Sequence, residues 1–168
     1  EDWKSPAETL FWLLENVSKG GNFLLNVGPD GTGVIPKQSA DNLLAVGRWL
    51  KVNGDAIYGT KPWKITHEGP AGISIKGTEH RSKHGFKLDI TSEDFWFTKK
   101  SMKLYVIGMV WPESGIARVR SLNDVSFTEV RLLGSPETLH WKKESGTVEI
   151  QLPKTELEKL GYALEITL

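Results

Sequence analysis

At 168 residues and 18.8 kDa, the chain is long enough to bury one sizeable core or two small ones. Its 21 basic and 21 acidic residues balance without a long run of either sign, which argues against a general nucleic-acid binder and gives no attraction to an anionic membrane. Cysteine is absent, so a disulfide framework, a zinc–thiolate site and a thiol nucleophile are excluded and the redox compartment is unreadable; no apolar stretch is long enough to span a bilayer.

The chain opens at Glu1 without an initiator Met, a signal peptide or a tag-like segment. A helix follows within five residues. Ser5 is placed as its N-cap, Pro6 as its first residue and Glu8 as the capping-box partner. Leu10, Leu13, Leu14 and Val17 recur at helical spacing, Phe11 and Trp12 widen that face, and Lys19-Gly20 end it. Residues 22–27 are apolar nearly throughout and lie between Gly20-Gly21 and the turn Gly28-Pro29-Asp30-Gly31-Thr32-Gly33. That run is too short for an ordinary helix and reads as a strand buried on both faces, as in a parallel sheet covered by helices. A second helix is expected after Ile35-Pro36, with a stripe of Leu43, Leu44, Val46, Gly47 and Leu50 and a stop at Asn53-Gly54.

Helix, strand, helix is a piece of an α/β fold, but one strand with two helices cannot close a layer. The expectation is a fragment, or an N-terminal part that pairs with something outside the sequence. Residues 55–63 read as a connector, with a unit boundary near Thr60. Beyond it helical periodicity fades. Residues 95–98, 104–110, 116–121, 126–133, 147–152 and 163–167 read as strands, separated by turn signals at regular spacing. They predict an antiparallel β-sandwich over residues 61–168. Residues 153–157 suit a short helical turn, and 69–85 fit either a strand pair or a long loop.

Chemistry is sparse. His67, His80, His84 and His140 are scattered; His80 and His84 lie four apart in a segment without helical pattern and read as a solvated loop rather than a metal site. The Gly-rich turn lacks the Lys-Ser/Thr pair of a phosphate loop, and Pro29 removes a backbone donor. Asn26 is the polar residue at the end of the apolar run. It ties down the following turn or contacts substrate, because a buried amide must be hydrogen-bonded. The seven Trp residues are many for this length; they fit core packing better than sugar platforms, although Trp63, Trp111 or Trp141 would serve a carbohydrate-binding module if exposed.

The run 18–29, followed by Asp30-Gly31 and Ile35-Pro36, resembles the last barrel segment of family 29 glycoside hydrolases, the α-L-fucosidases. Trp49-Leu50 with residues 53–60 is similar to that family's final barrel helix and its exit. Residues 95–99, Leu104-Tyr105-Val106, Trp111-Pro112, and residues 132–135 with Trp141 resemble strands of its C-terminal β-sandwich. The implied fold is the last βα unit of a TIM-like barrel over residues 1–60, followed by the sandwich. The implied activity is a retaining exo-glycosidase that removes terminal α-L-fucose from glycans. A barrel Asp is the nucleophile, upstream of Glu1, and a Glu serves as acid and base. Glu1 is a remote candidate for that Glu; Glu1 and Asp2 otherwise read as solvated residues just after it. The isolated chain is then expected to be inactive and to need the N-terminal part of the barrel as its partner. Phe23 is a candidate for the apolar side of the sugar pocket or packs between strand and helix. Regular alternation puts it on the face opposite Asn26, and Trp3 sits near the same rim. No metal or organic cofactor is implied, because two carboxylates suffice. The substrate class implies a periplasmic, secreted or lysosomal setting.

Overall fold

The computed structural model describes residues 3–70, 89–154, 156 and 159–168. The expectations for Glu1, Asp2, His80 and His84, and those for residues 71–85, lie outside the described residues, as does part of the turn at 153–157.

The first helix, α1 (Pro6–Ser18), starts as its sequence dictates. The Ser5 hydroxyl accepts the Glu8 N–H at 3.0 Å, satisfying one orphan donor of the first turn. The Glu8 carboxylate accepts the Trp12 indole N–H at 3.3 Å, one helical turn on. The helix closes on Gly20 at φ 78°, where the N–H groups of Gly20 and Gly21 reach the carbonyls of Val17 and Asn16. The second helix, α2 (Lys37–Asn53), takes Pro36 as its N-cap and ends in a single 3-10 turn, Gly54–Ala56. Its buried face is Asn42, Val46, Trp49 and Asn53. This corrects the expected stripe, since Leu43 and Leu44 are exposed.

Among the described residues eight strands follow: β1 (Lys61–Glu68), β2 (Phe95–Lys100), β3 (Lys103–Gly108), β4 (Ile116–Val119), β5 (Glu129–Leu132), β6 (Trp141–Glu144), β7 (Thr147–Gln151) and β8 (Tyr162–Thr167). They form a five-stranded sheet, β1-β2-β3-β8-β5, and a three-stranded sheet, β4-β7-β6, antiparallel throughout. β1 and β6 are additions to the strands read from the sequence. β1 pairs with β2 through a register shift between Pro62 and His67, which blurs its alternation. β6 is Trp-Lys-Lys-Glu on a sheet edge and shows no apolar period. The turn joining β6 to β7 is Ser145-Gly146, both at positive φ, the geometry that suits a tight hairpin.

The five-stranded sheet is the middle layer and is buried on both faces. Phe95, Phe97, Leu104, Val106, Leu164 and Ile166 face the three-stranded sheet, whose Ala117, Val119, Val148 and Ile150 complete one core. Trp96, Tyr105, Ile107 and Ala163 alternate with them and meet Leu10, Phe11, Leu14, Trp49 and Ala56 of the helical side in a second core. Burying each Val, Leu, Ile or Phe side chain among them contributes about 1.5–3 kcal/mol. Polar groups at this second seam are matched. Trp96 Nε1 donates to Glu15 Oε1 at 2.7 Å, Trp49 Nε1 to the Gly161 carbonyl at 3.0 Å, and Thr98 Oγ1 to the Ala56 carbonyl at 2.6 Å. Asn53 Oδ1 accepts the Ala163 N–H at 3.1 Å. Tyr105 donates its hydroxyl to Glu165 at 3.3 Å; burial first, and then the Glu165 carboxylate, push its pKa up to about 12.

Candidate functional site

The run at 22–27 is where sequence and structure part. It is not buried on both faces, and among the described residues it joins no ladder. Leu24 is 86% exposed, and Asn26 and Val27 are exposed, while Phe23 and Leu25 are half-buried. The two-residue period of a strand is present without partner strands, so the backbone of an apolar segment faces solvent. Of the ten large apolar side chains that stay exposed among the described residues, seven belong to residues 3–44: Trp3, Leu24, Val27, Val34, Ile35, Leu43 and Leu44.

Beside this segment lies a cavity of about 200 Å³ that brings Asn26 together with Trp3, Lys4, Thr9, Ser39 and Asn42. The amide nitrogen of Asn42 donates to the Lys4 carbonyl and holds the chain before α1 against α2. Gly20 lets the chain turn closely over β1, since a Cβ there would stand 2.9 Å from Pro62 Cγ. Phe23 does not line the cavity, so the two predicted contact residues are not brought to one wall. Ser39 and Asn42 line this cavity and were passed over by the sequence reading. Asn42 is signalled only by its place, four and seven residues before Val46 and Trp49, on the buried face of α2.

The lining offers amide, hydroxyl and ammonium groups and, among the described residues, no carboxylate or imidazole. It can orient a polar ligand but cannot supply the acid and base of a two-carboxylate hydrolysis. The turn after it is self-satisfied. Asp30 Oδ1 accepts the Thr32 hydroxyl at 2.6 Å and the N–H groups of Thr32 and Val34 at 2.8 and 3.0 Å. Those bonds, the Thr32 hydroxyl first, hold the carboxyl below its usual range. The N–H groups that a phosphate would want are already taken.

His67 sits apart from this cavity. Its ring centroid lies 4.9 Å from that of Trp96, and its Nε2 stands 3.5 Å from Oδ1 of the fully buried Asp94. Asp94 Oδ2 accepts the Thr91 N–H and hydroxyl at 2.7 and 2.8 Å. Burial lowers the His67 pKa, against the opposing pull of Asp94. The sandwich Trp residues are held against core rings: Trp63 on Phe97 at 5.2 Å, Trp111 on Tyr162 at 5.0 Å and Trp141 on Phe127 at 4.3 Å. Among the described residues no group of three or more His, Asp or Glu gathers as a metal site, and no helix is long and apolar enough to cross a membrane.

Comparison with known proteins bears on both halves. The family model for alpha-L-fucosidase matches residues 1–55, and that for the alpha-L-fucosidase C-terminal domain matches residues 87–168. The chain is 33% identical over 160 residues to tissue alpha-L-fucosidase of Mus musculus, covering 92% of this chain and 31% of that protein. It is 34% identical over 175 residues to plasma alpha-L-fucosidase of Rattus norvegicus, covering 99% and 33%. The crystal structure of Thermotoga maritima alpha-fucosidase superposes with a TM-score of 0.79 at 30% identity, over 99% of this chain and 35% of that one. The chain spans about a quarter to a third of the length of the curated relatives it matches. With both family models matched in order and a shared fold across nearly all of its length, the chain belongs to the α-L-fucosidase family and corresponds to the part of it that ends in the C-terminal domain.

Proposed function

We propose that this chain completes an α-L-fucosidase: it supplies the last βα unit of a TIM-like barrel, up to a boundary near Thr60, and the β-sandwich that braces it. The intact enzyme is a retaining exo-glycosidase that releases terminal α-L-fucose from glycans, with its Asp nucleophile outside these 168 residues. The observation that carries this reading is the segment 22–27, apolar and strand-like yet unpaired among the described residues, with Leu24 86% exposed. Exposed apolar patches of this kind mark an interaction surface, and neighbouring barrel strands would cover it. The relatives agree in kind: the T. maritima protein that shares this fold has been solved in complex with fucose.

On this reading Asn26 contacts substrate from the end of the closing strand, where barrel enzymes place their sites, and Phe23 packs toward the sugar's apolar side. No cofactor is required, and the enzyme works outside the cytosol, in a periplasm, a lysosome or the surrounding medium. An aryl α-L-fucoside tests the proposal. The 168-residue chain should give no turnover above a buffer blank, and the same chain extended upstream to relative length should be active. In the extended protein Asn26→Ala and Phe23→Ala should each lower kcat/KM by about tenfold or more, the loss of roughly one hydrogen bond or one apolar contact in the transition state. Turnover by the chain alone, or no turnover by the extended protein, contradicts it.

A further inference from the structure

The cavity beside Asn26 is gathered from one end of the helical part. Asn26 closes the apolar segment, Trp3 and Lys4 precede the Ser5 cap of α1, and Ser39 and Asn42 come from the first two turns of α2. In a barrel, strand ends and helix starts meet at the face where sites form. The lining holds no carboxylate among the described residues, so it binds without cleaving. Its volume of about 200 Å³ is less than the ~300–1,000 Å³ of a whole small-molecule site, and suits one part of a longer ligand.

Trp3 gives this cavity its aromatic wall. Of the seven Trp residues, all of them among the described residues, Trp3 alone is exposed, at 41%. Trp49 and Trp96 are fully buried, and Trp12 donates its indole N–H to Glu8. Trp63, Trp111 and Trp141 pack on core rings. An indole is large, rigid and apolar on its face, with a polar N–H at its edge. Such a face takes the C–H side of a sugar ring. The Ser39 hydroxyl and the Lys4 ammonium line the same cavity and offer partners for sugar hydroxyls. Asn42 holds this wall together, since its amide nitrogen donates to the Lys4 carbonyl.

We propose that Trp3 and this cavity hold the sugar from which fucose is cleaved: a pyranose unit lies on the Trp3 ring while the fucose it carries reaches Asn26. An exo-acting enzyme encloses the terminal sugar, and the next sugar emerges at the rim. Trp3 thereby determines specificity for a saccharide over a small leaving group. The proposal rests on the α-L-fucosidase reading and deepens it; that reading does not itself require Trp3.

The upstream-extended protein is assayed on α-L-fucosyl fluoride, whose leaving group is a single atom, and on the isomers of fucosyllactose, taking the isomer it cleaves fastest. Binding energy from the unreacting part of a substrate raises kcat/KM. Trp3→Ala should therefore lower the ratio of kcat/KM for fucosyllactose over the fluoride by about tenfold or more, the loss of one ring contact. Trp3→Leu, which keeps apolar bulk without a flat ring, should lower it equally, and Trp3→Phe should hold it within about twofold. Asn26→Ala, at the fucose, should slow both substrates and leave the ratio. An unchanged ratio in Trp3→Ala and Trp3→Leu overturns the subsite even where both rates fall, because a ring merely packed against the upstream chain affects both substrates alike. Turnover of the fluoride with no fucosyllactose cleaved overturns it too. If the extended protein turns over neither substrate, the fucosidase reading falls and the subsite with it; turnover of both with an unchanged ratio removes the subsite alone.

Discussion

Glu15 determines how firmly α1 grips the middle sheet. It is a buried carboxylate that accepts Trp96 Nε1 at 2.7 Å and pairs with Lys19. Glu15→Ala strands the indole N–H of a fully buried Trp96, so unfolding free energy should fall by about 1–3 kcal/mol, read as a lower urea midpoint at unchanged slope. Nothing in the sequence shows this bond, because the partners are 81 residues apart; α1 itself was legible, since Ser5, Pro6 and Gly20 act on their own neighbours. His67 carries the other prediction at this scale. Its folded pKa is lowered, by burial first, so the unfolded chain takes up a proton that the folded chain resists. Stability from this group is therefore full above the ordinary histidine pKa of about 6.5 and declines as pH falls below it. Asp94, Glu15 and Glu68 oppose the shift and Lys19 adds to it. The thermal midpoint should drop between pH 7 and 5 in the parent chain and drop less in His67→Gln. Parallel curves for the two proteins would remove His67 as the cause.

At the scale of elements, the turn into β8 has no room for a side chain at Gly161. Gly161 has φ 120°, and a Cβ there would stand 2.4 Å from the Gly108 carbonyl oxygen and 2.7 Å from Met109 Cα. Its own carbonyl accepts the Trp49 indole, so moving this backbone also loosens α2. Gly161→Ala should cost more than the ~1–3 kcal/mol of backbone strain alone, measured by denaturant unfolding. Strands with clear β-branched or aromatic runs between turn signals, such as β2, β3 and β8, were legible because pattern and burial coincide. β1 and β6 were not. A register shift interrupts the first, and the second is an edge strand whose charged side chains face water. The face of α2 was misread for a related reason. Leu43 and Leu44 look like core by composition, but Trp49 and Asn53 make the contacts to the Gly161–Ala163 backbone that set the helix's rotation. Of the cavity lining, Asn26 stood out in the sequence as a polar residue closing an apolar run. Its neighbours Ser39 and Asn42 did not, since only folding brings α2 to it.

The described residues form three layers, with helices, a five-stranded sheet and a three-stranded sheet stacked in that order. Both cores share the middle sheet, so the β-sandwich and the helical part stabilise one another through Trp96, Tyr105 and Ile107. What the layers leave uncovered is the apolar edge around Leu24, Val27 and Leu43. Leu24→Asp should therefore leave the unfolding free energy of the 168-residue chain within about 0.5 kcal/mol, as at any solvated position, yet abolish activity in the extended protein. Activity that survives would show that no neighbouring strand packs there. The most direct test is amide hydrogen exchange across residues 22–27, compared between the chain alone and its upstream-extended form. The account predicts fast exchange in the chain alone and strong protection in the extended protein, as expected when flanking strands take up these N–H groups; fast exchange in both would contradict it.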